Sequence, residues 1–111
     1  MELAALLSGF LKLAKGKKIF RQPHLSLYSA ILVCHYSAAG ANPFRVSRRE
    51  LMEHASIRSY MTYHKCMTDL IDNGIVAYEP SYHPTVASRI TLLDVRKLSD
   101  PAGRSAPQGI K

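Results

Sequence analysis

The chain of 111 residues lacks the residue patterns from which active sites are usually built. It has no tryptophan and two cysteines, and its six glycines are scattered, so no Gly-rich loop for cradling phosphate is present. No pair of carboxylates suited to acid–base catalysis stands out, and no serine or cysteine nucleophile accompanies a base in a telling motif. The sequence therefore predicts a protein that is not an enzyme and uses no cofactor.

Metal-ligand spacings are also missing, although the chain has five histidines. Neither Cys-x-x-Cys nor His-x-x-x-His occurs, and His64 and Cys66 lie two residues apart in a predicted helix, where they point to different faces. Cys34 and Cys66 both stand in apolar helical sequence, which is typical of reduced core cysteines in a cytosolic protein. We therefore expect no metal site.

Long apolar runs are absent too, since no stretch approaches the roughly 20 apolar residues that a membrane-spanning helix requires. The chain begins Met-Glu-Leu-Ala-Ala-Leu-Leu, with an acid where a secretory signal peptide carries basic residues, so we expect this segment to be retained. These features predict a cytoplasmic protein, and nothing in the sequence indicates a small-molecule ligand.

Acidic residues are few and unevenly distributed. Residues 1–49 hold eight Lys and Arg against one acid, a net charge of +7, whereas residues 50–95 hold three against six, a net charge of −3. Residues 96–111 hold four against one, a net charge of +3. The overall charge of +7 favours an anionic partner, but the central segment is not a uniformly basic surface.

Residues 47–73 have the pattern of two short helices separated by a tight turn. Ser47 and Glu50 form a capping box that predicts a helix start, and Ser59 is the next predicted N-cap. Asn73 and Gly74 supply a stop, because glycine readily takes the left-handed conformation after a helix. Apolar residues recur with helical spacing at Leu51, Met52 and Ala55, and again at Tyr63, Cys66, Met67, Leu70 and Ile71.

Short apolar runs with strand character flank these helices. Residues 75–79 and 88–92 are two predicted strands joined by a turn at 80–84, and residues 44–46 are a third. Residues 26–38 predict a helix that supports the pair at 47–73 from behind. Pro23 disfavours helix at Gln22, so residues 19–23 are predicted to be a connector.

The order of helix, tight turn, helix and strand pair resembles the winged helix-turn-helix family over residues 47–93. Residues typical of the family core and of the exit into the wing are Leu51, Ala55, Ile57, Leu70 and Gly74-Ile75-Val76. The chain departs from the family pattern by one extra residue between Ile57 and Tyr63. Segments 62–66 and 80–84 look like parts of small winged-helix proteins linked to bacterial mobile elements.

The resemblance implies an α+β fold with a three-helix core and a two- or three-stranded antiparallel wing, to which this chain adds an N-terminal helix. We assign residues 1–18 to the amphipathic N-terminal helix, 19–95 to the winged helix-turn-helix domain and 96–111 to a disordered basic tail. The N-terminal helix, at residues 2–15, is too short to be stable alone. It can dock on its own domain, form a homodimer contact or lie on a membrane surface.

The resemblance also implies that the helix at 59–73 enters the major groove of duplex DNA. Base-edge contacts are expected from Thr62 and Lys65, and phosphate contacts from Ser59 at the helix N-terminus. The remaining expected contacts are Arg48, Arg49 and Arg58 with phosphates, Tyr60 and His64 at the flanks, and Tyr82, His83 and Arg89 from the wing.

Each of these residues has a structural alternative. A single arginine can simply solvate an exposed face, Tyr60 and His64 can form the rim of the core, and the segment Tyr82-His83 can be a stiff turn between prolines. The leading hypothesis is a sequence-specific, nucleoid-associated protein that binds double-stranded DNA, either a transcriptional regulator or an accessory factor of a mobile element. The alternative, motivated by the −3 charge of residues 50–95, is a winged-helix module for protein–protein interaction.

Overall fold

A computed structural model describes residues 3–18, 20–81 and 87–93 of the chain. They form α1 (Leu3–Lys15), α2 (Gln22–Ser37), β1 (Phe44–Val46), α3 (Arg48–Ala55), α4 (Tyr60–Asp72), β2 (Val76–Glu79) and β3 (Ser88–Leu92). This confirms the predicted α+β class, and the order of elements is compatible with a winged-helix layout. The predictions for Tyr82, His83 and the tail at 96–111 lie outside the described residues.

Helix α2 lies at the centre of the core and packs against α1, α3 and α4. Its apolar residues are spread around the helix, and Leu27, Tyr28 and Ile31 are all fully buried. A helix that is apolar on several faces must be covered on several faces, which explains why three other helices surround it.

Helix α2 begins at Gln22, four residues before the predicted start, so the assignment of Gln22 and Pro23 to a connector was wrong. Pro23 stands in the first turn, where its missing N–H has no intrahelical partner to lose. The earlier start adds His24 to the helix. The backbone N–H of Arg21 donates to His24 Nδ1 over 2.9 Å. This bond gives one N–H group at the helix start a partner without a Ser or Asp cap.

The predicted caps of α3 and α4 are confirmed. The Glu50 amide donates to Ser47 Oγ over 3.1 Å and the Ser47 amide donates back to the Glu50 carboxylate over 3.2 Å. The Thr62 amide donates to Ser59 Oγ over 3.2 Å. Between the helices, Ser56 adopts a left-handed conformation with φ of 57°, which turns the chain sharply enough to bury Ile57.

The sheet has the order β1-β3-β2 and is antiparallel throughout. Phe44 and Val46 on β1 and Ile90 and Leu92 on β3 alternate inward and are buried, as the period of two requires. Asn42 extends the β1 edge, because its side chain exchanges two hydrogen bonds of 2.8 and 3.0 Å with the backbone of Leu92. The predicted strand at residues 44–46 is confirmed, and it pairs with β3.

Helix α1 docks on its own domain through Leu6 and Phe10, which are 0% and 1% exposed. The Phe10 ring stacks on Tyr28 of α2 at a centroid distance of 4.4 Å. Leu11, the residue that follows Phe10, is 46% exposed. A homodimer contact through the remaining surface of α1 stays a prediction. Among the described residues, no helix combines the length and apolar character needed to cross a membrane.

Substitution of Phe10 tests the docking of α1. Phe10→Ala should lower the free energy of unfolding by about 3–5 kcal/mol, because it leaves a cavity beside Tyr28. Leu11→Ala, its exposed neighbour, should change it by less than about 0.5 kcal/mol. Urea denaturation of the full-length chain measures both. Equal, small losses would mean that α1 contributes nothing to the core.

Candidate nucleic-acid interface

Helix α4 buries one stripe and exposes the opposite one. Tyr63, Cys66, Met67 and Leu70 are at most 5% exposed, as the sequence predicted. Met61 is 80% exposed, and His64, Lys65 and Thr68 are also exposed. Thr62, an expected base contact, is half-buried, and so is Asp69. Both lie on the flank of the helix that faces the start of α2.

Three of the predicted phosphate contacts meet on one side of this exposed stripe. Arg48 and Arg49 in the first turn of α3 and Arg58 in the following turn line a common groove together with Glu53. All three arginines are exposed. The structure therefore brings together three cations that the sequence assigned to two separate elements.

An aromatic cluster joins this groove to α4. The Arg48 guanidinium lies over the Tyr60 ring, 4.6 Å from its centroid, and Tyr60 is 6.0 Å from the His64 ring. Tyr60 is 52% exposed, so it borders the surface and does not belong to the core. Tyr63 beside it is buried, and burial raises the pKa of its hydroxyl to about 12, so the phenol stays neutral.

A polar network holds the other flank of α4 to α2. His24 is 4% exposed, and its Nε2 lies 2.7 Å from Asp69 Oδ2. Because His24 Nδ1 accepts from the Arg21 amide, the ring proton belongs on Nε2, which donates to the carboxylate. Asp69 thus faces α2, and its carboxylate accepts a hydrogen bond from a residue 45 positions earlier in the sequence.

Lys65 is part of the same network. Its Nζ lies 3.0 Å from Asp69 Oδ2 and 3.3 Å from Oδ1, although the lysine side chain is 72% exposed. Burial raises the pKa of the Asp69 carboxyl, but the hydrogen bonds from His24 and Lys65 and the charge of Lys65 outweigh it, so this pKa lies below its ordinary value. The positive charge that the sequence assigned to a base edge is thus locally compensated.

Two basic residues that sequence reasoning did not assign to the interface lie beside Thr62 and Lys65. Lys18 and Arg21, from the segment between α1 and α2, line a cleft with Met61 and Thr62. The sequence signal for them is the basic run at the end of α1 and just after it, which comprises Lys12, Lys15, Lys17, Lys18 and Arg21. Met61 is also missing from the predicted contacts, although it is the most exposed large apolar side chain of α4.

The strand pair β2–β3 is charged but internally paired. Arg89 on β3 forms an ion pair of 2.8 Å with Glu79 on β2, its partner in the strand register. Arg45 on β1 stands opposite Arg89 and donates to the Ala87 carbonyl over 2.8 Å. Arg89 is therefore less available to an anion than the sequence implied. Tyr82 and His83, the other two contacts expected from this region, lie outside the described residues.

Within residues 3–18, 20–81 and 87–93, no group of three His, Cys, Asp or Glu side chains is arranged to hold a metal ion. Both cysteines are free and buried, and burial raises the pKa of each thiol. His35 is also buried, and its Nδ1 lies 2.9 Å from the Ala41 carbonyl, to which it donates. His24 and His35 are thus engaged in structural hydrogen bonds.

Comparisons of the chain with protein-family models, with curated proteins and with solved structures found no match.

The Asp69 network predicts a pH-dependent contribution to stability. Asp69→Asn should lower the free energy of unfolding at pH 7 by about 1–2 kcal/mol, because it weakens charge-assisted hydrogen bonds to His24 and Lys65. The pKa of Asp69 is lowered in the folded state, so its contribution is present above the unfolded pKa of about 3.9 and is lost as the pH falls through the folded value.

Urea denaturation of wild type and Asp69→Asn between about pH 7 and about pH 2.5 measures this effect. The difference between the two proteins should stay constant down to about pH 4 and shrink below it. Asp72→Asn is the matched control, because Asp72 is exposed in the last turn of the same helix. A difference that is the same at every pH would contradict the role of the carboxylate charge.

Proposed function

We propose that the chain is a winged helix-turn-helix protein that binds double-stranded DNA through the exposed stripe of α4. The observation that carries the proposal is the groove shared by Arg48, Arg49 and Arg58, from which the Arg48 guanidinium reaches over Tyr60 at the start of α4. A helix in the major groove has phosphates alongside it, and arginines at its border supply the positive charge that these phosphates require.

The N-terminal end of α4 supports the same orientation. Ser59 caps the helix, and the first free amides of α4 stand at the positive end of the helix dipole. A backbone phosphate fits there, between Ser59 and the arginines of α3. Of the two acids of α4, Asp72 lies in the last turn, so an approach by the N-terminal end keeps it away from the DNA, and the Asp69 carboxylate is paired with Lys65.

The side chains available to base edges differ in part from those expected. Met61, Lys65 and Thr68 are exposed on the central stripe, whereas Thr62 is half-buried on its flank. Met61 offers an apolar contact for a thymine methyl group. Lys65 can donate to a guanine acceptor while it stays beside Asp69, because its ammonium group has three donors. Tyr60 and His64 border the stripe on the side of Arg48 and remain candidates for backbone contacts.

Two biological roles are consistent with such a protein: a transcriptional regulator, or an accessory factor for excision or transfer of a bacterial mobile element. Either role implies the cytoplasmic, nucleoid-associated location that the sequence analysis expected. A single helix covers only part of a turn of duplex, so paired half-sites and a homodimer belong to the same proposal. Neighbouring genes for an integrase or a transfer operon would distinguish the two roles.

An alternative function, a protein-interaction module that does not contact DNA, has one structural observation in its favour. Val33 and Tyr36 on the outer face of α2 are 47% and 73% exposed, and they line an apolar groove with Leu7 of α1. Leu6 and Phe10 of α1 are buried core residues, so their substitution would disturb folding. Val33→Ser and Tyr36→Ser are the better probes.

The proposal predicts a steep salt dependence of DNA binding. Wild-type protein should bind a fluorescein-labelled random-sequence duplex at low salt. Replacing Arg48 and Arg49 by Gln should make the slope of log K against log[salt] shallower by about 1.8, because each phosphate that is no longer neutralised reduces the slope by about 0.9. Fluorescence anisotropy at several salt concentrations measures both slopes.

The serine substitutions at Val33 and Tyr36 are the matched control and should leave the slope unchanged. Absence of wild-type binding to any duplex at low salt would refute DNA binding. In that case, loss of cellular activity in the Val33 and Tyr36 variants, with activity kept in the Arg48 and Arg49 variant, would favour the protein-interaction function.

A further inference from the structure

The basic segment between α1 and α2 is anchored by one hydrogen bond to the end of α4 and by ring contacts to α1 and α2. Lys17 Nζ donates to Asn73 Oδ1, at the C-terminal end of α4, over 3.1 Å. Phe20 anchors the other end of the segment, with its ring 5.4 Å from Phe10 and 5.3 Å from His24. Two exposed cations, Lys18 and Arg21, are therefore carried on an anchored piece of chain.

These two cations lie on the opposite flank of α4 from the arginines of α3. At 3.6 residues per turn, Tyr60 and His64 project from one side of the exposed stripe and Thr62 and Asp69 from the other. Arg48 contacts Tyr60 on the first side. The cleft that holds Lys18 and Arg21 is lined by Thr62 and also by His24, the partner of Asp69, on the second side.

The exposed stripe of α4 therefore has a cationic border along each flank. The major groove of B-DNA has a phosphate backbone on each side and is about 12 Å wide, which is the space that one helix occupies. If the arginines of α3 meet one backbone, the cations on the far side of α4 face the other. Asp69 lies at the floor of the second border, but its charge is already matched by Lys65.

We infer that Lys18 and Arg21 bind the phosphates of the second DNA strand, so that the α1–α2 segment forms the other half of the DNA-binding surface. The inference rests on the proposed function of α4. It assigns the N-terminal extension a role in binding the duplex, in addition to its contribution to the core through Leu6 and Phe10. The partner that this inference specifies is a DNA duplex whose two phosphate backbones are contacted on the two sides of one groove.

The test compares two double variants that remove equal charge from neighbouring parts of the chain. Replacing Lys18 and Arg21 by Gln should make the salt slope for a random-sequence duplex shallower by about 1.8. Replacing Lys12 and Lys15 by Gln removes the same charge from the outer surface of α1, where both lysines line a groove with Leu11. This control should change the slope by less than about 0.5.

A combination of all four substitutions at Lys18, Arg21, Arg48 and Arg49 tests whether the two borders act at separate phosphates. The slope of log K against log[salt] should then become shallower by about 3.6, the sum of the two separate effects. Thermal denaturation of each variant establishes that it is folded as the wild type is. The variant with Lys18→Arg and Arg21→Lys keeps both charges, so it should have the wild-type slope.

The outcomes separate this inference from the proposed function. In one outcome, the wild-type protein binds duplex and the Arg48 and Arg49 changes alter the slope, but the Lys18–Arg21 and Lys12–Lys15 variants have equal slopes. That result would overturn the inference and leave DNA binding by α4 intact. Failure of the wild-type protein to bind duplex would overturn both. A larger effect of the Lys18–Arg21 pair than of its control supports the second border.

Discussion

Burial of one stripe of α4 against α2 constrains the rest of the molecule. Once Tyr63, Cys66, Met67 and Leu70 turn inward, the rotation of the helix about its axis is set, and Met61, Lys65 and Thr68 must face away from the core. A packed interior tolerates no slippage of this stripe, because each side chain fills space that no other residue can occupy. The surface available to a partner is thus a consequence of the core.

The two flanks of α4 are secured by different chemistry. On the α3 side, a cation–π contact between Arg48 and Tyr60 links the helix to a groove rich in arginine. On the α2 side, a half-buried carboxylate accepts from His24 and Lys65, so a charged group is tolerated there because its hydrogen bonds are satisfied. The same carboxylate reduces the net charge of the second border, where Lys18 and Arg21 then provide the uncompensated cations.

The net charge of each segment does not describe the charge of the surface around α4. Residues 50–95 carry a charge of −3, which argued against a basic surface, but the fold surrounds α4 with cations from before residue 50. Arg48 and Arg49 come from the start of α3, and Lys18 and Arg21 from the segment before α2. Electrostatic potential depends on which residues lie together in space, and segment sums do not report this.

The sequence by itself determined the features whose partners lie within a few residues: the Ser47–Glu50 capping box, the Ser59 cap, the left-handed Gly74, and the inward stripe of α4, which follows from helical period. The tertiary structure decided the early start of α2, the inward turn of Asp69 toward His24, the pairing of Arg89 with Glu79, and the position of Lys18 and Arg21 beside α4. Periodicity identifies which face of a helix is buried. It carries no information on which distant residue lies against the edge of that face, and at these positions the distant residue sets both the charge and the orientation of the side chain.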